Sequence, residues 1–163
     1  MKNFTFSVCL LVGLLTISSC STKEDIDLRE EFVGVYSLNV ISDVKMTNGN
    51  KTVEYPMDAS NKKFVVTLNT ENKSKVNYSG YYGEGSATIS GNTLVFDEPK
   101  ISVTNYSDGV YIQIDFENLP ISKKNSNVLE WQTAVVGGAV SINGGTSNAI
   151  AITGILNNTA TKK

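Results

Sequence analysis

The chain has 163 residues, enough for one domain plus a leader. Its 40% hydrophobic and 18% charged residues fit neither a disordered acidic tail nor a polytopic membrane protein. A formal charge of −2 argues against a nucleic-acid-binding surface, and the complete lack of histidine argues against His-based triads, His-ligated metals and histidine general bases.

Residues 1–19 read as a secretory leader. Lys2 is the short positive region, Phe4 to Ile17 is an apolar stretch too short to span a bilayer, and Ser18 and Ser19 are small. Cys20 follows directly. Ile17-Ser18-Ser19-Cys20 resembles the bacterial lipobox, with Ile where Leu is usual and Ser where Gly or Ala is usual. The resemblance implies cleavage before Cys20 and a diacylglycerol thioether on its sulfur. Each buried methylene then contributes about 0.8 kcal/mol to membrane attachment. The only other cysteine, Cys9, lies in the leader, so no disulfide is expected. Ser21-Thr22-Lys23-Glu24-Asp25 resembles the Lys-then-acidic export signal of Bacteroidetes lipoproteins, which implies display on the outer-membrane surface. Residues 20–31 are therefore read as a lipidated tether ending in a short helical turn, capped by Asp25 or Asp27.

Residues 32–156 show short alternating runs. Phe32, Gly34, Tyr36, Leu38 and Val40 share one face of an extended segment. Phe64, Val66 and Leu68 share another, opposite Lys63, Thr67 and Asn69. In Val110–Phe116 the residues Val110, Ile112, Ile114 and Phe116 face inward, and Tyr111, Gln113 and Asp115 face out; period two over that span is a half-buried strand. Asn48-Gly49, Gly91-Asn92, Asp108-Gly109 and Asn143-Gly144-Gly145 are turn signals that accommodate positive φ. The pattern predicts an all-β domain, an antiparallel meander of eight to ten strands, either a closed or nearly closed barrel or a β-sandwich. Residues 157–163 read as a polar, frayed tail.

Phe32-x-Gly34-x-Tyr36, after the short helical turn, resembles the opening of lipocalin and other calycin-type barrels, with Tyr in place of Trp. The resemblance implies a barrel and a binding role. Lipocalins also place an arginine near the end of the barrel over that aromatic. Here no arginine follows Arg29, and Lys162 and Lys163 stand in the expected tail.

No catalytic or metal constellation emerges, and no cofactor is expected. Gly80-Tyr81-Tyr82-Gly83-Glu84-Gly85 lacks phosphate-loop spacing and reads as a bend, and Gly137-Gly138 reads as a strand break or bulge. Asp115 and Glu117 alternate on an outward face. The expectation is a non-enzymatic binding module for a small apolar ligand or a surface protein. Its ligand-facing candidates are Tyr36, Phe64, Val66, Tyr78, Tyr81, Tyr82, Ile112, Ile114 and Trp131. The alternative is an accessory subunit of a cell-surface complex with a filled core. An open interior lined by Phe64, Val66, Ile112 and Ile114 would favour the first, and a solid core with exposed tyrosines the second.

Overall fold

A computed structural model describes residues 27–107, 109–142, 144–147 and 150–163, without the side chains of 146 and 147. Cys20, Asp25, Asp108, Asn143 and the leader lie outside the described residues.

Leu28–Glu31 form a 3-10 turn whose N-cap is Asp27; its carboxylate accepts the Arg29 N–H at 3.0 Å. Among the described residues twelve strands follow: β1 Gly34–Asn48, β2 Lys51–Glu54, β3 Ala59–Leu68, β4 Lys75–Gly80, β5 Gly83–Ser90, β6 Thr93–Phe96, β7 Lys100–Ser107, β8 Val110–Asn118, β9 Ile121–Asn125, β10 Val128–Ile142, β11 Gly145–Ser147 and β12 Ile150–Lys162. All pairings are antiparallel. Eight strands in the order β12-β1-β3-β4-β5-β6-β9-β10 close into a barrel through the pairing of β10 with β12.

The connectivity departs from a simple meander. After β6 the chain leaves the barrel as the β7–β8 hairpin and returns as β9 between β6 and β10. The hairpin pairs instead with the upper half of β10, from Thr133 to Ile142. On the far side, β2 pairs with the end of β1, and the start of β12 pairs with β1 alone. The long strands β1, β10 and β12 thus rise above the barrel and carry a second, open storey.

Residues 157–163 are not a frayed tail. They continue β12 to Lys162, with register Tyr36↔Lys162 on one side and Val128↔Thr161 on the other. Leu156, Asn158 and Ala160 are buried. The reason is alternation: these inward residues share one face, and the outward Asn157, Thr159 and Thr161 gave the run its polar look. Lys162 is also placed by this strand. A Cβ on Gly34 would lie 2.6 Å from its Cε, so the glycine of the Phe32-x-Gly34-x-Tyr36 motif is where the lysine stem crosses β1.

Candidate functional site

The barrel interior is filled by the protein's own side chains. Phe64 contacts Trp131, Tyr36 and Tyr78 with ring centroids 5.3, 6.3 and 6.3 Å apart. Tyr78 meets Phe96 edge-on at 5.1 Å, and Phe96 lies 6.4 Å from Trp131. Val66, Leu94, Ile121, Leu129 and Leu156 complete the packing. Tilted and edge-on pairs such as these contribute about 0.5–1.5 kcal/mol each beyond the area they bury.

The base is sealed by the short helical turn. Tyr36 donates its hydroxyl to Phe32 O at 2.7 Å. Arg29 is held by a bidentate pair with Asp27 and donates from Nη1 to Asn69 O at 2.9 Å and Asn72 O at 3.3 Å. The hydrogen bond from Arg29 holds the Asp27 carboxyl below its usual range.

The upper end is different. Tyr81 and Tyr82 are the two central residues of the β4–β5 hairpin, between the paired Gly80 and Gly83. Gly80 has backbone so close to Lys63 that a Cβ would sit 2.4 Å from Lys63 O. The turn sends its neighbours in different directions. Tyr81 remains 42% exposed, with Lys62 Nζ 5.9 Å from its ring centre. Tyr82 turns over the barrel end, meets Trp131 at 6.5 Å and donates its hydroxyl to Asn158 Oδ1 at 2.6 Å. Burial, then the neighbouring Tyr81, pushes the Tyr82 phenol far above its ordinary value, so it stays a donor.

Asn158 is part of a buried polar chain. Its Nδ2 donates to Thr133 Oγ1 at 2.9 Å, and Thr133 donates to Asn118 Oδ1 at 2.6 Å. Asn118, Thr133 and Asn158 are all buried. Beside them, Trp131 Nε1 is the one buried side-chain nitrogen or oxygen without a hydrogen-bond partner among the described residues.

Above Tyr82 opens a mostly apolar groove of about 400 Å³, lined by Met57, Tyr81, Tyr82, Ile101, Val103 and the neighbouring Ser102 and Thr104. Asn105, next in sequence to Thr104, donates to the Tyr55 hydroxyl at 3.1 Å. Of the nine sequence candidates, Phe64, Val66, Tyr78 and Trp131 converge in the packed interior, and Tyr36 lies at its base. Ile114 is buried and Ile112 half-buried within β8 of the β7–β8 hairpin. Only Tyr81 and Tyr82 border the groove. Met57, Ile101 and Val103 were missed because they come from segments distant in sequence. The buried Asn118, Thr133 and Asn158 had a signal: polar residues at inward positions of strands whose other inward residues are apolar.

Asp115 lies on the outer face of the hairpin, accepting from Ser102 Oγ at 2.5 Å and Gln113 Nε2 at 3.0 Å. Among the described residues no group of three His, Cys, Asp or Glu side chains could hold a metal ion.

No family model and no curated protein matches this chain. Among solved structures it is similar to EF1p2_mFAP2b bound to DFHBI, with 17% identity and a TM-score of 0.37, covering 82% of this chain and 95% of that one.

Proposed function

We propose that this chain is a lipoprotein anchored through Cys20 in the outer membrane and displayed at the cell surface, where its barrel acts as a non-enzymatic binding module of lipocalin-like type. The recognition site is the groove at the upper end, not the barrel centre. One observation carries this choice: Phe64, Trp131, Tyr78 and Phe96 occupy the centre, whereas Met57, Tyr82, Ile101 and Val103 form an apolar concavity open to solvent. The leader and Ile17-Ser18-Ser19-Cys20 support the anchor. The absence of histidine from the sequence supports a role in binding rather than catalysis.

The test uses the full-length protein in detergent and the apolar dye 1-anilinonaphthalene-8-sulfonate. Dye fluorescence rises on binding to the wild type and is lost in Val103→Asp at an unchanged melting temperature. Equal dye binding by the variant defeats the assignment of the groove. The filled core also favours a second reading, an accessory subunit of a surface complex. In that case the protein migrates with a fixed companion after gentle envelope solubilisation, and Val103→Asp leaves the assembly intact.

A further inference from the structure

We infer that the groove takes an extended peptide segment of another protein, which adds as a strand to the edge of β7 that no described strand covers. The inference rests on the upper groove being the recognition site and names what occupies it.

Around the barrel base, β1 is followed by β3, β4, β5, β6 and β9 before β10 is reached. In the upper storey the same arc holds only β2 beside β1 and the β7–β8 hairpin beside β10, and no ladder joins β2 to β7 among the described residues. The sheet is therefore interrupted there, and the interruption is the apolar groove.

The hydrogen-bonding row of β7 is defined by its pairing. Asn118 N–H donates to Pro99 O at 2.7 Å, immediately beyond the pair Lys100↔Glu117. In an antiparallel ladder, bonded and non-bonded pairs alternate, so the odd-numbered residues of β7 bond to β8. Lys100, Ser102, Thr104 and Tyr106 turn their N–H and C=O the other way, along roughly 20 Å of edge. No backbone bond on that side is made by these residues to any described residue. The register with β8 runs without a bulge from Lys100 to Ser107, and the strand contains no proline and one lysine, at its first position. Edge strands normally carry such devices to prevent pairing.

Chemistry then selects the occupant. A compact apolar molecule would fill the concavity and leave the backbone row unused. An extended peptide satisfies both, pairing with β7 while alternate aliphatic side chains enter between Met57, Tyr82 and Ile101. A thioether and a tyrosine rim adapt to differing side chains, which suits recognition through backbone more than sequence.

The test is fluorescence anisotropy on the full-length protein in detergent with a fluorescein-labelled octapeptide of alternating valine and threonine. Binding is expected to weaken roughly tenfold or more for the analogue N-methylated throughout, which keeps side chains and loses donors. Thr104→Pro should weaken it comparably, because it deletes an outward N–H that the β7–β8 ladder does not use. The N-methylated probe acts on unaltered protein, so the result stands even where the proline variant is unstable. Equal affinity of the two peptides overturns the inference. Dye binding in the groove without peptide binding overturns it and leaves the groove assignment standing; loss of both removes the groove as well. A dimer that Thr104→Pro dissociates assigns the edge to a second copy of the chain and also overturns it.

Discussion

Replacing Thr133 by valine isolates the buried polar chain, because the side chains are nearly isosteric and no cavity results. In the wild type the Thr133 hydroxyl donates to Asn118 Oδ1 and accepts from Asn158 Nδ2 at 2.6 and 2.9 Å, and its residue is fully buried. Valine leaves both amides short of a partner in a site closed to water. A buried group stripped of its partner costs about 1–3 kcal/mol. Asn158 Nδ2 keeps only a long bond to Leu156 O at 3.4 Å, so little is recovered there. The expected loss is about 3 kcal/mol, or a fall of about 10 °C in melting temperature for a domain of this size. Thr133→Ser is the control: it keeps the hydroxyl, loses a methyl and costs about 1 kcal/mol. Urea denaturation monitored by Trp131 fluorescence reads both. A valine variant as stable as the serine variant would refute the reasoning, since it would mean that the amides find other partners.

Gly154 has φ +143° and a Cβ there would lie 2.1 Å from Asp43 O, so Gly154→Ala should cost more than about 3 kcal/mol. Gly49, at φ +57° with open space around it, gives the comparison; Gly49→Ala should cost only about 1–2 kcal/mol, and equal losses in thermal denaturation would show that the close approach is unimportant. Burial alone would raise the Asp97 carboxyl, but hydrogen bonds from Lys75, Ser86 and Thr88 together hold it below 3.8. A depressed carboxyl stabilises the fold fully above its unfolded value and loses that contribution as pH falls through the folded one. Acid titration of stability should therefore drop below pH 3.8, less steeply in Asp97→Asn; identical curves would count against the Asp97 cluster. Cys20→Ser should release the protein from the membrane fraction and abolish acylation, and an unchanged distribution with no acylated parent species would defeat the anchor.

Alternation was legible because inward residues of a half-buried strand must be apolar every second position. That is why Val110–Phe116 and Phe64–Val66 lie where the pattern placed them; of the two cap candidates, Asp27 caps the opening turn because its carboxylate reaches the Arg29 N–H. Period two does not reveal which neighbour a strand pairs with. The β7–β8 hairpin was readable from Asp108-Gly109 and its flanking runs, but its departure from the barrel is decided by where β10 offers an open edge. The end of β12 was misread for a related reason. Asn158 occupies a core position because Tyr82 and Thr133 satisfy its amide, and those partners lie 76 and 25 residues away. A buried asparagine with distant partners looks, locally, like solvent-exposed chain.

The same partnership bears on the site. Tyr82 could close the barrel only if its hydroxyl found an acceptor there, since an unpaired phenol in the interior would cost about 1–3 kcal/mol. Asn158 supplies that acceptor, and Thr133 and Asn118 hold Asn158 in place. The polar chain therefore fixes the ring that separates the packed interior from the groove above it. Tyr82→Phe keeps the ring and removes the donor, leaving Asn158 Oδ1 unpaired. It should cost about 1–3 kcal/mol and loosen the floor of the groove, so dye binding should weaken while Val103 remains unaltered. If Tyr82→Phe lowers stability but leaves dye affinity unchanged, the groove is shaped by Met57, Ile101 and Val103 alone, and the polar chain serves the fold without reaching the site.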